Sequence, residues 1–412
     1  MRNLLLILTL FCISVIACEK YPEKGSAGNP LLKFYGDAFI DIGNSICETA
    51  DGYLLCGKLT ILERSETGGG TFIESSDEDF GLVKAGFNGN QLWSVNTGGV
   101  NPDIGRKVLP LSDGSFICVG STTVGSGTTH RDILIAGISS TGSITWEKHY
   151  GGAGNQEGYD IVENNNGGFF ITGSTNVDNP GNDNYLGHID MLFMEINAQG
   201  DSIKIGTYGY AGDEYGIRIA KDHDNSYVVL GTTNFSDPGQ GQRNMILVRI
   251  NDAFGVDDNE TFGGMDDEVA SDIELLPDGY LVSGTVFLSE ESQQGFLLRL
   301  SGHNLAGQIP LVSKRVTYEG GSVVFNSITS LPDDGFLLAG STGSGSSADM
   351  LFKFFDINGN EYMDTFVSGG TGFQSASDAI VDAGGKIVAV GNNLVLNNSM
   401  ITLLKFDPWG GN

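Results

Sequence analysis

The run Asp51-Gly52-Tyr53-Leu54-Leu55-Cys56-Gly57 returns six more times along the chain, and this repetition limits the fold more than any other feature. The copies are DGSFICVG ending at Gly120, GGFFITG at Gly173, NSYVVLG at Gly231, DGYLVSG at Gly284, DGFLLAG at Gly340 and GGKIVAVG at Gly391. Their end points lie 63, 53, 58, 53, 56 and 51 residues apart. That period is too long for one coil of a β-helix, and it suits a unit of four short strands with loops of variable length.

Each copy has the same internal order. An alternating segment carries an apolar residue near its end (Ile46, Val108, Ile161, Ile219, Ile273, Ile328, Ile380) and meets a tight Asp-Gly or Gly-Gly turn before the repeated run, as a hairpin does. After a variable loop comes a third apolar segment such as DILIAGI from Asp132 or DMLFKFF from Asp349, and then a fourth such as ITWEKHYGG from Ile144. Little of this has a helical period, so the chain reads as all-β. The last copy stops after its third segment at Phe406, whereas the first is preceded by Leu31-Leu32-Lys33-Phe34-Tyr35-Gly36, which matches a fourth segment. These observations predict a seven-bladed β-propeller over residues 31–412, with four antiparallel strands per blade. The ring is expected to close by an N-terminal strand that becomes the outermost strand of the last blade.

The N-terminal end carries a different signal. Residues 1–17 hold one cation, Arg2, and then a largely apolar run too short to span a bilayer, which reads as a secretory signal peptide. Val15-Ile16-Ala17-Cys18 resembles the bacterial lipobox, which implies acylation of Cys18 and anchoring by lipid alone. Residues 18–30 then form a polar tether. Glu19 follows the cysteine in place of the aspartate that retains lipoproteins at an inner membrane, so the outer membrane is the expected location.

Gly89 to Trp93 and Gly142 to Trp146 resemble the Gly-x-x-x-Trp element of quinoprotein-type propellers, although later copies lack the tryptophan. As a whole the chain resembles the secreted or lipid-anchored propeller proteins of Bacteroidota that carry repeated DGGYxxxG and WxxxYGG elements. The resemblance implies a fold and a location and assigns no catalytic residue.

The formal charge of −29, or −30 once Arg2 is removed, argues against nucleic acid and against anionic lipid as partners. The five histidines fall at different module positions and form no local metal pair. Asp356-Ile-Asn358-Gly-Asn360-Glu361 looks like part of a calcium loop, but FNGN and NAQG stand at the same place in other copies, so a hairpin turn is expected there. No resident cofactor is expected, a divalent cation such as calcium being the one candidate. Cys47 and Cys56 flank Asp51-Gly52 symmetrically and would face each other as a disulfide if those two residues formed the whole turn. Cys118 is offset by one and should face the other way as a buried thiol.

Where the chain crosses from one blade to the next, Asp41, Asp103, Glu157, Glu214 and Glu268 stand four or five residues before the inner apolar position. They are expected to ring one mouth of the central channel, on the face that also bears the long variable loops, where binding usually resides. The sequence therefore points to a monomeric, non-enzymatic binding or scaffold propeller that docks an envelope protein or an extracellular ligand through this acidic face. A glycan-active propeller, needing two carboxylates across a scissile bond, is the alternative. So is a glycan-binding module using Phe72, Tyr185, Phe235 or Phe287.

Overall fold

A computed structural model describes residues 29–36, 39–67, 71–99, 101–124, 130–152, 154–176, 189–235, 243–289, 292–343, 347–395 and 398–409. Their strands form seven antiparallel sheets of four, with no α-helix among the described residues. The first blade holds Ile42–Thr49, Gly52–Thr67, Thr71–Gly86 and Gln91–Thr97, paired in chain order from the channel outward. The next five blades repeat this order. The seventh takes Phe373–Val381, Ile387–Val395 and Asn398–Phe406 from the C-terminal end and Leu31–Tyr35 from the N-terminal end. Leu31 pairs with Lys405 and Tyr35 with Ile401, so the ring closes as the unequal ends of the repeat array predict.

Each seam between neighbouring blades holds its own apolar core, and both faces of every sheet are therefore covered. At the closing seam, Val388, Val390, Ile401 and Leu403 of the last blade pack on Ile46, Tyr53 and Leu55 of the first. Two-sided burial explains why the middle strands read as continuous apolar runs rather than alternating ones. The glycine that ends each repeat has a steric cause. Every innermost strand bulges by one residue, at Gly43/Ser45 in the first blade and Gly158/Asp160 in the third, and the bulge pushes a carbonyl toward that glycine. A Cβ on Gly57 would lie 1.8 Å from the oxygen of Ile42, and one on Gly173 would lie 1.8 Å from that of Glu157.

Two local expectations change. The variable loop expected after the first blade's repeat glycine is instead a continuation of its hairpin, with Lys58 paired to Phe80 and the ladder running on to Thr67 and Thr71. Its alternating sequence lets the strands extend beyond the sheet. The Cys47–Cys56 bridge that an Asp51-Gly52 turn would have allowed does not form, because Thr49 pairs with Gly52 and the turn is Ala50-Asp51. Cys47 then stands opposite Leu54, and the bulge sets Cys56 opposite Ser45. Cys47, Cys56 and Cys118 are free and buried, and burial pushes the Cys47 thiol up to about 12. Cys118 does face the other way. In a ring that direction leads into the neighbouring seam, where it meets Cys56.

Candidate ligand-binding site at the channel mouth

The acidic residues expected at the mouth are where the sequence placed them along the chain, but most are turned inward. Asp41, Asp103, Glu214 and Glu268 are buried, the most exposed at 3%. Their oxygens accept hydrogen bonds from the backbone of the crossing itself: the Gly99 amide donates to Asp103 at 2.7 Å, Tyr210 to Glu214 at 2.7 Å and Gly264 to Glu268 at 3.0 Å. They also reach the second strand, where the Thr60 amide donates to Asp41 at 2.7 Å and the Thr233 hydroxyl to Glu214 at 2.6 Å. Each side chain latches the crossing to its own blade. Burial raises the pKa of Asp103, Glu214 and Glu268 above their ordinary values, against the pull of these hydrogen bonds.

The third and seventh blades show that the latch needs an oxygen and not a charge. Gln156 accepts from Gly152 at 2.9 Å and Gln374 from Gly370 at 3.0 Å, in the same geometry. Glu157, placed in the ring by its sequence spacing, is one residue past the latch. It forms ion pairs with Arg131 at 2.8 Å and Arg106 at 3.6 Å beside the mouth.

Midway down the channel, the residues that follow the bulge of each inner strand form a belt. The seven positions are Ser45, Lys107, Asp160, Arg218, Asp272, Ser327 and Asp378, and the five charged ones line a common cavity. Cations and carboxylates pair around this belt, Arg218 with Asp272 at 3.1 Å and Lys107 with Asp378 at 3.5 Å. Asp378 is the main reason the Lys107 ammonium is held well above its ordinary pKa. The aspartates also tie blades together, because each accepts the amide of the next blade's inner apolar residue: Ile219 donates to Asp160 at 3.0 Å, Ile328 to Asp272 at 3.0 Å and Ile46 to Asp378 at 3.2 Å.

Above the belt the channel widens into a cavity of about 840 Å³, within the range of small-molecule sites. Arg106, Arg218 and Arg243 line it, with Asp213 the one carboxylate among the described lining residues; Arg243 is also paired with Asp267 at 3.3 Å. Arg106 lies over the ring of Tyr159 at 5.5 Å, and Arg243 over that of Phe287 at 5.0 Å. The amides of Asn44, Asn326 and Asn392 complete the wall. Of the aromatics singled out in the long loops, Phe287 is in this wall and Phe235 stacks on Tyr210 at the same face. Phe72 and Tyr185 lie outside the residues whose side chains are described, as does Cys18.

At the opposite end of the ring, the Asp356 loop is the expected turn, its carboxylate accepting the amides of Asn358 at 2.9 Å and Asn360 at 2.8 Å. The described histidines include two that the ring brings together from distant loops. His223 and His303, 80 residues apart in sequence, come together at the seam of the fourth and fifth blades with ring centroids 4.9 Å apart.

No family model matches the chain, and no curated protein matches it. Among solved structures it is similar to the Pan2 WD40 domain of Neurospora crassa, at 9% identity over 89% of this chain and 89% of that one, with a TM-score of 0.50. It is also similar to a puromycin hydrolase mutant complexed with PGG, at 11% identity over 85% of this chain and 50% of that one, with a TM-score of 0.50. A Trypanosoma rangeli sialidase matches at 8% identity over 84% and 59% of the two chains, with a TM-score of 0.44. At such identities the first two likenesses carry the propeller fold and nothing of the ligand.

Proposed function

We propose that this chain is a non-enzymatic binding propeller that takes up an acidic saccharide at the channel mouth, carried at the outer membrane on an acyl anchor at Cys18. The observation that supports it is the wall of the 840 Å³ cavity, which three guanidiniums line and where two of them are stacked on aromatic rings, each guanidinium being ion-paired to a carboxylate outside that lining: Arg106 to Glu157, Arg218 to Asp272 and Arg243 to Asp267. Arginine offers paired donors to a carboxylate, and asparagine amides suit hydroxyl groups. The stacking holds Arg106 and Arg243 in place before a ligand arrives, which lowers the entropy cost of binding. A hydrolytic reading finds less support, since Asp213 is the one carboxylate among the described lining residues and hydrolysis calls for two.

A second reading, docking of an envelope protein, is favoured by Phe235, Met265 and Leu288, which are exposed on the same face of the fourth and fifth blades at 45%, 84% and 41%.

Titration calorimetry with uronate-containing oligosaccharides and their neutral counterparts tests the first reading. The native chain should favour the acidic sugars, and the Arg106→Gln, Arg243→Gln double variant should lose that preference. Equal binding of both sugar classes, or an unchanged preference in the variant, rejects it. A membrane-protein partner recovered stoichiometrically from detergent-solubilised envelope, and lost on Met265→Ser with Phe235→Ser, would favour the docking reading.

A further inference from the structure

Among the described residues, Asp222, His223 and His303 offer three ligand atoms that all lie within 4.8 Å of one another, at the end of the ring opposite the mouth. Asp222 and His223 are in the turn between the first two strands of the fourth blade, and His303 follows the third strand of the fifth. His303 Nδ1 is 2.8 Å from Asp222 Oδ1.

The repeat provides a control for what the scaffold alone requires. At the closing seam Asp382 occupies the place of Asp222, with the Tyr53 hydroxyl donating to it at 2.7 Å and Lys405 paired at 2.7 Å. Asp222 has the same two supports: Tyr280 donates to Oδ2, and Arg249 lies 3.4 Å from it. The aspartate, tyrosine and cation are thus architecture. The histidines are additions, because Ala383 stands where the fourth blade has His223. Phe87 packs edge-on to Tyr53 at 5.5 Å, as His303 packs edge-on to Tyr280 at 5.3 Å.

What the additions create has the form of a metal site. Tyr280 and Arg249 hold Oδ2, while Oδ1 accepts the His223 backbone amide at 2.7 Å and keeps a lone pair on the side of the imidazoles; His303 Nδ1 is also 3.3 Å from the Tyr280 hydroxyl, and the His223 Nε2 is 3.1 Å from the carbonyl oxygen of Leu276. Donation to that carbonyl leaves Nδ1 with the lone pair, the arrangement in which an outer hydrogen bond orients a ligating histidine. We propose that Asp222, His223 and His303 bind one late first-row divalent ion of the zinc class, bridging the fourth and fifth blades. Two imidazoles and one carboxylate suit zinc, whereas calcium needs six or more oxygens. His223 is exposed, so the remaining coordination position opens to solvent.

The test is calorimetric titration of the full-length chain with Zn²⁺ and, separately, with Ca²⁺, followed by thermal unfolding with and without Zn²⁺. His303→Phe and His223→Ala place in this seam the residues the closing seam already tolerates, so both variants should fold. The expected result is one Zn²⁺ per native chain, a rise in melting temperature on adding it, and affinity weaker by about 10-fold or more in either variant. Calcium should not compete. Equal Zn²⁺ affinity in the native chain and in these variants, or no Zn²⁺ binding by the native chain, overturns the proposal.

Discussion

At the scale of single residues, the latch carboxylates carry a test of their own, because two blades use glutamine for the same task. Burial raises the folded-state pKa of Glu214 and Glu268 above the unfolded value, so the folded state binds protons more readily. Their ionised forms then cost stability above the folded pKa, and the cost is relieved as pH falls through it toward the ordinary value. Replacing both by glutamine should leave stability at neutral pH unchanged or higher and flatten its dependence between neutral and mildly acidic pH, as read from urea unfolding at several pH values. A marked loss of stability in the glutamine variant would mean that the charge itself is needed. Glu214→Ala, by contrast, strands the Tyr210 amide and the Thr233 hydroxyl and should cost about 1–3 kcal/mol. The difference between Gln156 and Glu157 also marks where sequence reading slipped. Asp41, Asp103, Glu214 and Glu268 each stand five residues before the inner apolar position, and five before Ile161 is Gln156; accepting a spacing of four and looking only for acids selected Glu157. A search for charge passes over an amide that supplies the same acceptor.

Among whole elements, strand order and ring closure were legible because they depend on features repeated locally: a turn, a glycine and an apolar run. Contacts across seams were not. The belt could have been found by stepping back from each repeat glycine, yet pairings such as Lys107 with Asp378 join the second blade to the seventh and appear only once the ring closes. Asp378→Ala should therefore cost more than loss of a surface charge. It leaves the half-buried Lys107 without its nearest partner and the Ile46 amide without an acceptor, and the expected loss is about 1–3 kcal/mol by denaturant unfolding. A change below about 1 kcal/mol would mean that water in the channel replaces the carboxylate. The closing strand gives a second check. The Tyr35 hydroxyl donates to the Gly89 carbonyl of the first blade at 2.8 Å while its ring fills the seam core. Tyr35→Ala should then cost about 3 kcal/mol. Because the strand clamps the two ends, proteolysis should open the seventh blade first.

Over the whole molecule, the charge of the chain and the chemistry of its mouth act in opposite directions, and this separates their contributions. A formal charge of −29 repels an acidic ligand at long range, whereas Arg106, Arg218 and Arg243 attract it only once it has entered the cavity. Salt screens the first effect more than the second: the Debye length is about 10 Å at 0.1 M, and the guanidiniums act at contact distance within a partly enclosed wall. The association rate of an acidic saccharide should therefore rise with ionic strength, the reverse of a site on a basic protein, while its dissociation rate changes little. Stopped-flow measurements at low and moderate salt decide this. An association rate that falls as salt is added would show that the local field of the mouth already extends beyond the acidic surface. Arg243→Gln should then abolish that salt dependence, and the three arginines would have to be regarded as steering the ligand as well as holding it.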